Sequence, residues 1–371
     1  MMSKRHILTA IFAAVGMGTL ILDSKTALIG AKEGIEICVR TVIPSLFPFI
    51  LFSTLLTGSL IGHRIPLLSF LGKLCRIPAG AESVLAAGIL GGYPVGAQCI
   101  YQAYKSGNLE KKDAHRLLGF CSNAGPAFIF GMCGTLFSSP GKAWFLWGIH
   151  ILSALFVGVF LPGRARYSEQ IQPSKPVTLA NALSKTVPIC ANICGWVIMF
   201  RIVIAFFDRW FLWLLPSTVQ TSVIGFLELA NGCCMLANLD AEPTRFILCS
   251  AFLGFGGICV SMQTVSVTAE LGTGWYFPGK IMQCGISIIL AALTAPLLFS
   301  AELTSFSVSK ALIFSIPAMG TCLLIAFNLK KDVAFQQDLI YNKKKIPKRV
   351  TVCCLEKKSK NPAHIAPTVQ K

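Results

Sequence analysis

The chain alternates between long apolar runs and short polar connections, and the run lengths set its class. A bilayer core is crossed by about 20 consecutive apolar residues in a helix. Such runs fall near 6–22, 41–62, 117–137, 143–162, 186–207, 246–269, 280–299 and 309–328. Two further runs, 83–102 and 219–239, are interrupted by glycine, proline and small polar residues. One reads Gly88-Ile-Leu-Gly-Gly-Tyr-Pro-Val-Gly-Ala-Gln98, the other Gly225-Phe-Leu-Glu-Leu-Ala-Asn-Gly232. Inside a bilayer, backbone that leaves the helix survives only where protein or a wet cavity covers it. These runs therefore predict re-entrant hairpins rather than plain crossings. Residues 24–40 mix Ala27, Leu28, Ile35 and Ile37 with Lys25, Lys32, Glu33 and Glu36. That pattern predicts an amphipathic helix lying in the interface.

Composition agrees with this class. Hydrophobic residues make up 54% of the 371 and charged residues only 13%, against about 25% charged in a soluble domain. A soluble enzyme is excluded. The net charge of +17 suggests nucleic acid until its location is read. Eleven lysines and arginines lie between Lys330 and Lys371 against three acids, and most others flank apolar runs. Orientation of membrane helices requires this distribution, and a basic tail also suits anionic lipid. No nucleic-acid partner is expected. The start of the chain, with Lys4 and Arg5 before an apolar run, imitates a signal peptide. Asp23-Ser-Lys follows instead of a small-residue cleavage site, so the segment reads as a retained first crossing.

Charge counting orients the chain. With the N-terminus in the cytosol, 25 lysines and arginines fall inside, Lys280 among them, seven fall outside and Arg201 lies within the membrane. Both termini are then cytosolic in a multi-pass protein of the cell membrane. Two units line up. Arg40-Thr-Val-Ile-Pro44 opens one long helix and Lys185-Thr-Val-Pro188 another, each followed by a broken hairpin and then a broken helix. The first unit starts from the outside and the second from the inside, which makes them inverted repeats. The fold class expected is an all-α polytopic membrane protein of about eight transmembrane helices plus two re-entrant hairpins in two inverted repeats. Its parts are 1–34 (transmembrane and interfacial helices), 35–162 (first repeat), 163–180 (cytosolic linker), 181–328 (second repeat) and 329–371 (basic cytosolic tail).

Matched broken segments point to a transporter's binding site. Glu228 sits at the centre of the second hairpin, where a carboxylate costs at least about 2.5 kcal/mol unless it is paired, hydrated or protonated. It is read either as a proton or cation carrier or substrate contact, or as a structural carboxyl bonded to the unwound backbone at Asn231-Gly232. Arg201 either pairs with Glu228, attracts an anion or reaches for the interface. Ser122, Asn123 and Gly125 precede Pro126, where a helix should restart. Gly256 and Gly257 offer a comparable restart, with Ser261 and Gln263 one to two turns on. Two facing helix N-termini favour a small anionic solute, although small residues also serve plain helix packing. Tyr93, Pro94 and Gln98 add a ring, a fixed bend and an amide to the first hairpin, and Pro44, Ser45 and Pro48 supply a kink.

Enzyme signatures are missing. Gly88-Ile-Leu-Gly-Gly is not followed by the Gly-Lys-Ser/Thr of a nucleotide loop, and neither a Gly-x-Ser-x-Gly elbow nor an HExxH pair occurs. Most of the 15 cysteines, such as Cys99, Cys121, Cys190, Cys249, Cys284 and Cys322, lie in apolar runs and read as small hydrophobes. Without CxxC or Cys/His spacing, no metal or cofactor is expected.

Four motifs in order carry a family resemblance: Pro44-Ser-Leu-Phe-Pro-Phe49, Gly92-Tyr-Pro-Val-Gly-Ala97, Ser122-Asn-Ala-Gly-Pro-Ala-Phe-Ile-Phe-Gly131 and Gly256-Gly-Ile-Cys-Val-Ser-Met-Gln263. Over roughly 35–300 the chain resembles the YlbJ-type sporulation integral membrane proteins, which contain a nucleoside recognition or gate domain. The resemblance implies a spore former, with the protein in the membrane around the forespore. It implies movement of dipicolinic acid, a small pyridine dicarboxylate, into the spore. A non-transporting scaffold of a sporulation complex, with the tail as docking arm, is the alternative. Partners expected are the solute, the lipid bilayer, and either further copies of the chain or other sporulation membrane proteins.

Overall fold

Apolar runs become helices in the order the sequence predicts, and the glycine and proline interruptions become breaks. The computed structural model describes residues 4–60, 66–78, 81–163, 177–268 and 270–299. The expected crossing at 309–328 and the basic tail lie outside the described residues. Every regular element described is helical. Helices α1 (Lys4–Leu22), α2 (Ser24–Ile37), α3 (Ile43–Leu60) and α4 (Pro66–Leu74) lead into α5 (Glu82–Leu90) and α6 (Val95–Lys105). Then come α7 (Lys111–Leu118), α8 (Pro126–Gly131), a 3-10 turn at Cys133–Leu136 and α9 (Pro140–Phe160). The rest are α10 (Leu179–Trp210), α11 (Ser217–Leu227), α12 (Leu229–Leu236), α13 (Glu242–Phe255), α14 (Gly257–Val267) and α15 (Tyr276–Leu298).

Among the described residues five stretches are long and apolar enough to cross a membrane: Ser24–Leu56, Pro140–Phe160, Leu179–Trp210, Glu242–Val267 and Tyr276–Leu298. Large side chains such as Phe12, Phe52, Phe160 and Leu297 stay exposed on the outer helices, as a lipid-facing rim requires. The chain is a multi-pass membrane protein.

Two expectations gain detail and a third is corrected. Residues 24–40 do not form a separate helix. They continue through a π-helical turn at Cys38–Val42 into α3 as one long run, and α2 packs along α10. The reason is Gly30-x-x-x-Gly34. A Cβ at Gly30 would lie 2.9 Å from Ile202 Cα, and one at Gly34 2.9 Å from Ile198 Cα, so the two backbones touch. Glu33 then pairs with Arg201 across the seam, and Arg201 also meets Asp208 at 3.5 Å rather than Glu228. The run 117–137 is broken where a restart was expected, with α7 ending at Leu118 and the backbone irregular until α8 opens at Pro126. Lys280, counted among the inside loops, is the fifth residue of α15 and has no exposed surface. Pro278-Gly279 looks like a boundary in sequence, yet Pro278 sits in the first helical turn, where a missing N–H costs nothing.

The order long helix, hairpin, broken helix, long helix occurs twice: α3, α5/α6, α7–α8, α9, and then α10, α11/α12, α13–α14, α15. In the second hairpin Gly225 and Gly232 cross so closely that a Cβ at Gly232 would lie 2.1 Å from Gly225 Cα. In the first, Gly88 and Gly96 both face the Cys121 carbonyl. Almost all of α13 and α14 is buried, which makes that broken helix the centre of the core.

Candidate functional site

All four breaks meet. Gly92, with φ of +71°, turns the first hairpin and rests on Gly125, where a Cβ would come within 3.1 Å of Gly92 Cα. Gly256 and Gly257, with φ of +86° and +79°, break the second long helix and lie against Tyr93 and Leu229. Only glycine adopts such angles freely. Between the breaks lies a cavity of about 50 Å³. Tyr93, Gly125, Glu228 and Gln263, one from each broken segment, face it together with Val42 and Val197.

Tyr93, followed by a cis bond to Pro94, spans the two halves. Its hydroxyl donates to the Leu253 carbonyl at 3.1 Å and accepts from Lys280 Nζ at 3.3 Å. Lys280 also donates to Gln283 Oε1 at 2.7 Å. Gln283 Nε2 donates to Asn123 Oδ1 at 2.9 Å and to the His150 carbonyl at 3.3 Å. Asn123 Nδ2 in turn donates to the Phe120 carbonyl at 2.7 Å. His150 Nε2 accepts the Ala124 N–H at 3.0 Å, so in the neutral ring Nδ1 carries the proton. A layer deeper along α15, Ser287 donates to Ser153 at 2.8 Å.

This network holds more donors than acceptors. An ammonium has three N–H groups, and Lys280 has two partners, neither of them a carboxylate. His150 Nδ1 and Ser122 Oγ are buried with no partner among the described residues. Three donor groups grouped around the 121–125 break thus lack full partners.

Glu228 does not balance Lys280. Its carboxylate caps α12, accepting from the Ala230 N–H at 3.1 Å, the Asn231 N–H at 2.6 Å and Asn231 Nδ2 at 2.6 Å. Such a cap satisfies N–H groups that every helix start leaves free. The starts of α8 and α14 have no side-chain cap, but α8 has only six residues. Ser261 bonds back to the Gly257 carbonyl at 2.9 Å. Gln98 is half-buried on α6, outside the cavity and the network. Asn231 also lines a separate cavity with Glu33 and Arg201.

Sequence reading missed Lys280, Gln283 and His150. An ionisable residue in an apolar segment was the available signal, and Lys280 with Gln283 one turn on gave it. Elsewhere, buried Arg116 bridges two helix ends, donating to the Cys75 and Arg76 carbonyls just after α4 and to those of Gly158 and Leu161 at the end of α9.

The chain is similar to the sporulation integral membrane protein YlbJ of Bacillus subtilis (strain 168). The two are 24% identical over 324 residues, which covers 75% of this chain and 79% of the relative. No family model matches the chain, and no solved structure matches it.

Proposed function

We propose, from the premise that this chain is a YlbJ-type integral membrane protein, that it is a carrier and not an enzyme. It moves a small anionic solute across a membrane of the sporulating cell, with dipicolinic acid as the candidate. The observation that carries this reading is Lys280, buried without a carboxylate beside the breaks. An unpaired buried charge costs several kcal/mol, and a solute carboxylate would repay that cost. The unpartnered donors at His150 and Ser122 ask for the same acceptor chemistry. A cavity of about 50 Å³ holds a water or two and not an aromatic acid, so the breaks must part to admit solute. Inverted repeats rocking about the shared breaks supply that motion by alternating access. Both termini cytosolic and residence around the forespore complete the proposal.

Binding tests it. Detergent-solubilised protein is melted with dipicolinate, with benzoate and with a neutral nucleoside. The proposal expects dipicolinate alone to raise the melting temperature in wild type, and Lys280→Gln to lose that shift. A shift with the nucleoside, or one that survives Lys280→Gln, contradicts it.

A further inference from the structure

Three of the cysteines read from sequence as small hydrophobes come together. Cys133 follows α8, Cys233 lies on α12 and Cys249 on α13. They come from three elements and from both halves. Their three sulfurs lie within 4.8 Å of one another, with Cys133 and Cys233 at 3.8 Å. All three residues are completely buried. Metal–thiolate bonds of about 2.3 Å, the length found for zinc, place three sulfurs about 4 Å apart in a trigonal plane. The observed spacing is therefore already close to a ligating one.

One side of the trio borders open space. Cys233 borders a second cavity of about 590 Å³, which Met132 and Cys234 also line. Its wall is rich in sulfur, with Arg40 and Thr41 beside it. We propose that Cys133, Cys233 and Cys249 form a three-sulfur site for one soft monovalent metal ion of the Cu(I) class, reached past Met132. Soft thiolate and thioether ligands select such ions. Zinc takes four ligands in a closed site, and among the described residues no fourth Cys, His, Asp or Glu joins the trio. Each sulfur that ligates as thiolate releases its proton to water through the cavity. The ion keeps its oxidation state and no electron moves. Because Cys133 belongs to the first half and the others to the second, a bound ion would clamp the halves together.

Other thiols bind soft ions too, so the test is differential. Full-length reduced protein is loaded with Cu(I) in detergent and challenged with a Cu(I) chelator. Wild type should retain one ion per chain, and Cys133→Ala, Cys233→Ala and Cys249→Ala should each retain none. Cys190→Ala should match wild type. X-ray absorption on the wild-type complex needs no variant and should show three sulfur neighbours, and Ag(I), a redox-inert analogue, should raise the melting temperature of wild type and not of the three triad variants. Retention by the triad variants, no retention by wild type, two or four sulfur neighbours, or displacement by equimolar Zn(II) would each overturn the site.

Discussion

Lys280 and Glu228 are both buried near the breaks, and their surroundings assign them different work. Glu228 has its acceptors filled by N–H groups of its own helix start. Glu228→Ala should therefore cost about 1–2 kcal/mol of stability, as loss of a helix cap does. Thermal unfolding in detergent reads this, and a variant as stable as wild type would remove the capping role. Arg116 is structural in the same sense. Arg116→Met leaves four carbonyls short of a charged donor, each bond worth about 1.5–3 kcal/mol, and should unfold at clearly lower temperature. Lys280 has no such closed set. At this scale the sequence exposed Tyr93, Asn123, Glu228 and the paired glycines, because each interrupts an apolar run. It hid His150 and Gln283, whose importance comes from meeting Ala124 and Asn123 across 26 and 160 positions of chain.

Helices and hairpins were more legible than their neighbours. Hairpins at 83–102 and 219–239 appear where Gly-Tyr-Pro and Leu-Glu-Leu break the runs. Lys32, Glu33 and Glu36 give 24–40 the pattern of an interfacial face, yet the segment runs on into α3 and packs along α10. A partner such as Arg201, which neutralises Glu33 from another helix, leaves no mark in local periodicity. The Gly30-x-x-x-Gly34 spacing did leave one. Gly34→Leu has no room against Ile198 and should cost at least about 1–3 kcal/mol by overpacking. Unfolding at the wild-type temperature would mean that α2 does not press on α10. An exposed counterpart such as Gly18→Leu on α1, where nothing lies within 4 Å of a Cβ, should leave stability unchanged.

For the whole molecule, the twice-used order of helix, hairpin, broken helix and helix matters most. The proposed inverted repeats make the four breaks a shared pivot, with solute charge met by Lys280 from the second half and by the 121–125 break from the first. A carrier built this way needs no contribution from 331–371, whereas a scaffold that docks through its basic tail does. Deleting 331–371 should leave transport intact in reconstituted vesicles, and loss of flux on that deletion alone would favour the scaffold. The most direct measurement is uptake of labelled dipicolinate into proteoliposomes, with wild type beside Lys280→Gln. Losing one charged donor costs about 1.5–3 kcal/mol, roughly ten- to hundredfold in affinity. The account predicts clear wild-type uptake that falls at least tenfold in the variant at low solute, with equal amounts of folded protein. Equal uptake by both proteins, or none by wild type, would contradict it.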